Sequence, residues 1–361
     1  ASHVPKLLRS GAQPAFPLAG RTISSANAIV GDVGRPDLAQ KGNELTMEDL
    51  AGMMYDSIRQ KLVPLADDVI VYPAHGPGSS CGKNLGPNTF STMGTEKETN
   101  YALRAGGKEE FIKAVTEGLG APPAYFPVNA RINKEGYDPL DAILDRGMKA
   151  LSVDEVKRAG SDVIILDTRP ATLFTLGFVP GSVSIGLEGR FAEWAGSLLP
   201  FDASLILVTE PGKERESMVR LARVGFSKMT GYLEGGFDAW RNSGHEIDMV
   251  IDVEPDELAM DLPFDENLTV LDVRRPAEFA DGHVKDAVNL PLNDMNDPAL
   301  LANIGEEENV YIHCAGGYRS VIAASLLKRH GIHNIRNVLG GWNRIKSQEK
   351  IEIDKEKSVL N

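Results

Sequence analysis

Short, continuously apolar runs alternate with helix-period segments through the second half of the chain. Val163 to Asp167, Val183 to Ile185 and Leu205 to Val208 read as strands, and Arg215 to Val224 carries apolar residues at helical spacing. The series then repeats: Leu268 to Asp272, Ala287 to Leu290 and Val310 to His313 as strands, Ser320 to His330 as a helix. Asp167 and Asp272 lie 105 positions apart, and the same offset relates Gly177 to Gly282 and Gly235-Gly236-Phe237 to Gly340-Gly341-Trp342. Several landmarks at one spacing indicate a tandem duplication. Strands that are apolar on both faces and alternate with helices predict parallel sheets covered on both sides. The pattern therefore predicts two α/β domains, 145–245 and 250–347, preceded by a segment of different character over 1–135. The acidic stretch 246–267 is expected to separate the copies, 121–127 and 133–139 to form a linker, and 347–361 to be a terminal helix or frayed end.

Composition narrows the function classes. With 361 residues, 42% hydrophobic and 25% charged, the chain has ordinary globular content and length for two or three domains. Its apolar runs fall far short of the roughly 20 residues needed to cross a bilayer, so no membrane partner is expected. A net charge of −13 repels phosphate backbones, so no nucleic acid partner is expected either. Small anions remain possible, because a local ring of N–H groups binds them against the global field. Two cysteines, Cys81 and Cys314, cannot form a dense disulfide framework. The expectation is free thiols in a reducing, cytoplasmic compartment, with a homo-oligomer left open.

The chemistry concentrates where the third strand of the second copy ends. His313-Cys314-Ala315-Gly316-Gly317-Tyr318-Arg319-Ser320 sits between a strand and a helix, where open α/β sheets place their binding crevice. Loop and first-turn N–H groups there can surround Cys314 Sγ and favour a thiolate. Arg319 adds a guanidinium able to grip an oxyanion in bidentate fashion. Ser320 either orients this loop or caps the helix. Asp272, Arg274 or Arg275, and Glu278 are expected to brace it, Asp272 as an acceptor for loop N–H groups. His283 and His313 read as packed or surface imidazoles rather than catalytic bases.

This Cys-x4-Arg loop with its two glycines resembles the active-site loop of the rhodanese family of sulfurtransferases. Leu271-Asp272-Val273-Arg274, Glu278 to Val284, Ala287 to Pro291 and Gly340-Gly341-Trp342 fit the same pattern, so both copies look like rhodanese domains. The resemblance implies a sulfurtransferase in which Cys314 takes a sulfane sulfur as a persulfide and hands it to a thiol or cyanide. Ala315, Gly316, Gly317, Tyr318 and Ser320 would bind the substrate, and Arg319 its anionic part. Thiosulfate or glutathione persulfide would be the donor, and sulfur transfer would need no cofactor. Related phosphatases use a loop one residue longer, so sulfur transfer is favoured over phosphate hydrolysis.

The 105-residue offset carries Cys314 onto Thr209 and Arg319 onto Glu214. Without a thiol, and with Glu210 and Glu214 where an anion would bind, the first copy is expected to be inactive and structural or docking in role.

The segment before the repeat contains Val30 to Leu38 and Val71 to Gly82. Both resemble the later part of a metallo-β-lactamase fold, in the branch of persulfide dioxygenases and their fusions with rhodanese domains. That branch uses the positions of Asp32 and His75 as metal ligands, which implies iron or zinc there. It also uses a His-x-His-x-Asp-His cluster, whereas His3 alone precedes Asp32. The segment is thus expected to be a partial αβ/βα fold, either degenerate in its first half or joining the ends of a longer chain whose middle is absent. Cys81 reads as a second sulfur-handling thiol or a plain loop cysteine. Two rival readings stand beside the sulfurtransferase: a bifunctional persulfide dioxygenase and sulfurtransferase, and a non-enzymatic sulfur carrier.

Overall fold

The computed structural model describes residues 16–18, 22–25, 28–36, 45–73, 88–117, 125–160, 162–302, 304–305 and 307–356. The chain divides into two compact units, 1–122 and 123–361. His75 and Cys81 lie outside the described residues. Among the described residues no helix is long and apolar enough to cross a membrane.

The larger unit contains the duplication as two five-stranded parallel sheets. In the first copy the strand order is Ala150–Leu151, Met229–Leu233, Ser204–Val208, Val163–Asp167, Val183–Ser184. In the second it is Ile251–Val253, Ile335–Val338, Asn309–His313, Leu268–Asp272, Val288–Asn289. The 105-residue offset survives in the pairing itself: Val208 lies opposite Asp167 and His313 opposite Asp272. Leu205 to Val208 and Val310 to His313 are almost completely buried, which explains why their sequences carry no polar alternation. One apolar cluster, including Leu166, Phe174, Leu207, Leu271, Ile312 and Leu327, runs through both copies. The two sheets therefore fold around a shared core.

Two expectations need correction. The tail is neither helical nor frayed over its described part, because Ile353–Asp354 pairs antiparallel with His283–Val284. The expected linker is interrupted by a helix, Tyr125–Glu135. Within the stretch 246–267 lie the strand Ile251–Val253 and the helix Pro255–Asp261. Pro255 stands in the first turn of that helix, where its missing N–H costs no hydrogen bond.

The smaller unit holds a four-stranded sheet in the order Phe16–Leu18, Thr22–Ser25, Ile70–Pro73, Ser91–Thr92. Only the central pair, Thr22–Ser25 with Ile70–Pro73, runs parallel. The helix Met47–Ser57 starts at a Thr46/Asp49 capping box, and its buried Ala51 and Met54 join a core with Val71, Met93, Phe111 and Val115.

Candidate active site

Cys314 follows directly on the strand Asn309–His313, and Gly317, at φ +106°, turns the chain into the helix Tyr318–Arg329. Glycine is required there because a side chain disfavours positive φ. The turn brings the Gly317 N–H to 3.1 Å from Cys314 Sγ. The thiol in turn donates to Ser320 Oγ at 3.6 Å, and that hydroxyl donates to Gly317 O at 3.1 Å. Ser320 therefore does not cap the helix, a position held by Gly317; it ties the sulfur to the loop backbone. Cys314 is only 1% exposed.

The loop is also gripped from behind. Trp342 N donates to Cys314 O at 2.7 Å and Asn343 N to Ala315 O at 3.0 Å. This approach is possible because residue 341 is glycine: at φ +53°, a Cβ there would stand 2.2 Å from Cys314 O. Gly340-Gly341-Trp342 was visible in the sequence as a repeat landmark, but its part in holding the loop carbonyls was not. Pairing between residues 314 and 342 has no local signal.

Arg319 departs from its expected role. Its guanidinium is spent on Glu278, with NH1 to Oε2 and NH2 to Oε1 both at 2.8 Å. Glu278 is fixed in turn by the Arg275 N–H at 3.1 Å, at the start of the helix Pro276–Ala280. Arg319 holds the Glu278 carboxyl below its ordinary range against the opposing effect of burial. The same contact raises Arg319 further. The pair braces the loop, as expected of Glu278, and leaves the bidentate face of Arg319 occupied by protein.

Asp272 is corrected as well. It is fully buried and accepts from the Arg274 backbone N–H at 3.0 Å and from the Arg274 guanidinium at 2.5 to 3.0 Å, not from the N–H groups around Cys314. Arg274 also donates to Gly282 O at 2.7 Å and lies 4.5 Å over the Trp342 ring. Asp272 thus reaches the active loop through Arg274 and Trp342. His283 is stacked on Phe279 with centroids 3.7 Å apart. His313 is fully buried, and that burial keeps its imidazole below its ordinary value and therefore neutral. Both behave as packed rings.

Tyr318 is half-buried, and its hydroxyl donates to Gly186 O of the first copy at 2.9 Å. Burial pushes its phenol up to about 12. It is therefore engaged with the neighbouring domain, while Ala315 and the exposed Gly316 form the outer part of the loop.

In the first copy the strand Ser204–Val208 leads through buried Thr209 to a helix beginning at Glu214. The backbone path is kept; the thiol is absent, and Glu210 and Glu214 add negative charge.

In the smaller unit Asp32 is fully buried on the two-residue strand Asp32–Val33. Its Oδ1 accepts from the Tyr101 hydroxyl at 2.8 Å and from the Val33 N–H at 2.7 Å. Asp32 raises the Tyr101 phenol, although burial contributes more. Among the described residues no group of three His, Cys, Asp or Glu could hold a metal. His3 and His75 are the only histidines before His245. Three protein ligands are usual for a catalytic metal, and the described residues do not supply them.

The sequence profile of the family described as Rhodanese-like domain matches residues 152–243 and 254–348, together just over half of the chain. A protein named sulfurtransferase from Allochromatium vinosum is 32% identical over 99 residues, covering 27% of this chain and 91% of that protein. The putative sulfur carrier protein YrkF of Bacillus subtilis is 36% identical over 77 residues, covering 21% of this chain and 40% of that one. For the N-terminal part there is a structural neighbour, a crystal structure of a metallo-beta-lactamase from Staphylococcus aureus. That likeness has a TM-score of 0.50 at 28% identity and covers 58% of each chain. The chain belongs to the family of rhodanese-like domain proteins, a sulfurtransferase family, and carries the domain twice in tandem.

Proposed function

We propose that the second copy transfers sulfane sulfur through a persulfide on Cys314. The observation that carries this reading is the Gly317 N–H on Cys314 Sγ, at the junction of a buried strand and a helix. A hydrogen bond to a charged acceptor is worth about 1.5–3 kcal/mol, and here it favours sulfur that carries negative charge. In the first half-reaction the Cys314 thiolate attacks the outer sulfur of an anionic donor such as thiosulfate or glutathione persulfide. A Cys314–sulfur bond forms, the donor's sulfur–sulfur bond breaks, and sulfite or the parent thiolate leaves with the electron pair. In the second, a thiol or cyanide acceptor attacks the terminal sulfur and returns the Cys314 thiolate. Splitting the transfer in this way gives ping-pong kinetics. No redox cofactor or metal enters either step, and no chemistry is assigned to Asp32.

With Arg319 engaged by Glu278, donor recognition falls to the loop backbone, and Arg319 braces that loop. The test is intact-mass analysis after incubation with glutathione persulfide or thiosulfate. The expected result is one added sulfur, lost in Cys314→Ser, with steady turnover once cyanide or thiol is supplied. A free Cys314 that gains no sulfur would overturn the reading. Loading without turnover would instead assign the chain a carrier role, the function named for its Bacillus subtilis relative.

A further inference from the structure

All nine residues from Ser320 to Lys328 of the active-loop helix are buried, which an amphipathic helix packed on one sheet would not show. The additional cover is the first copy, whose edge strand Val183–Ser184 packs against this helix. Residues 318, 325 and 329, spaced i, i+7, i+11, fall on one helix face. Arg329 NH1 donates to Gly181 O at 2.8 Å, Ser325 Oγ accepts from the Ser184 N–H at 2.9 Å, and the Tyr318 hydroxyl donates to Gly186 O at 2.9 Å. The first-copy segment therefore runs antiparallel to the helix, and its last contact falls at the active loop. The seam also satisfies an edge-strand N–H that would otherwise be left without a partner. Beside it, nearly buried Lys328 pairs with Asp248 at 2.8 Å.

The end of the seam nearest the thiol is itself fixed. Leu187 O, next to Gly186, accepts from Arg220 NH1 at 2.5 Å, and Arg220 lies 5.5 Å over the Phe191 ring. Arg220 belongs to the helix Glu214–Arg223, the first copy's counterpart of the active-loop helix. A chain of contacts thus leads from the helix behind the thiol-less loop, through Leu187 and Gly186, to Tyr318, the residue after Gly317.

We propose that Tyr318 is a positioning residue through which the first copy fixes the Gly317 N–H on the Cys314 sulfur. This deepens the sulfur-transfer reading and rests on it for its kinetic consequence. Tyr318→Phe removes the hydroxyl and keeps the ring. In single-turnover loading of Cys314 from glutathione persulfide, the limiting rate falls about fivefold, the effect of one lost hydrogen bond. The donor concentration at half-saturation stays at the wild-type value. In deuterium exchange, residues 314–320 exchange faster while 163–167 hold the wild-type rate. Wild-type exchange over 314–320, or a loss confined to half-saturation, would overturn the proposal. If the wild-type protein takes up no sulfur, the sulfur-transfer reading fails by itself, and the exchange result still decides the role of Tyr318.

Discussion

The two copies preserve the same buried ion pair and differ in the loop above it. In the first, Asp167 holds Arg169 at 2.6 Å, while Arg169 donates to Gly177 O and lies 4.3 Å over Phe237. In the second, Asp272 holds Arg274 at 2.5 Å, while Arg274 donates to Gly282 O and lies 4.5 Å over Trp342. A pair retained where there is no thiol to serve belongs to the scaffold. What separates the copies is local: a cysteine, a glycine at 316 where the first copy has Pro211, and an arginine that its own domain engages.

The largest effect expected from this comparison is on stability and is symmetric. Arg169→Met and Arg274→Met each leave a fully buried aspartate without its guanidinium, at a cost of about 3–5 kcal/mol. Urea unfolding checks this. A loss seen only for Arg274→Met would show that the pair serves the active loop alone.

The next effect is asymmetric. Gly341→Ala would drive a Cβ to 2.2 Å from Cys314 O, whereas Gly236→Ala would bring one to 2.9 Å from Thr209 O. Both backbones have positive φ, so both variants lose stability through strain of roughly 1–3 kcal/mol. Only Gly341→Ala displaces the reacting sulfur, and a displacement near 1 Å costs on the order of a hundredfold in rate. Sulfur loading measured per folded molecule separates the two variants; equal rates would refute the asymmetry.

These contrasts mark what the sequence could convey. The duplication, its strands, and the thiol at a strand-to-helix turn were legible because each is written in contiguous residues, apolar runs followed by Gly316 and Gly317. The partner of Arg319 was named only as a brace, because Glu278 lies 41 positions away and an arginine near a thiol reads equally well as an anion binder. The seam from Tyr318 to Gly186 spans 132 positions and joins residues that the 105-residue offset does not relate. The tail strand Ile353–Asp354 was missed because its pairing with His283–Val284 is set by tertiary structure, against a locally charged composition.

A smaller effect tests the brace. Glu278→Gln removes the carboxylate facing Arg319, and at this half-buried site solvent recovers part of the loss, leaving about 1 kcal/mol. Because Glu278 is held below its ordinary value near 4.5, the wild-type advantage is complete above that value. It disappears as the pH falls through the lowered range, where Glu278 takes up a proton. The first copy has exposed Leu173 in the corresponding place and Glu214 in place of Arg319, so Leu173→Gln should show no such pH dependence. Acid unfolding curves of the variants beside wild type provide the check.

The smallest expected effect is none at all. Thr209→Cys in a Cys314→Ser background restores a thiol to the first copy at the end of the same kind of strand. Gly212, at φ +83°, stands where the offset places Gly317, but its N–H donates to the Glu214 carboxylate at 3.1 Å, and Pro211 replaces Gly316. Glu210 and Glu214 disfavour an anionic sulfur and repel an anionic donor. Intact mass after donor treatment should show no added sulfur, although the thiol alkylates once the protein is unfolded. A sulfur gained at residue 209 would mean that strand-end placement alone activates the thiol and that the loop amides around Cys314 are dispensable.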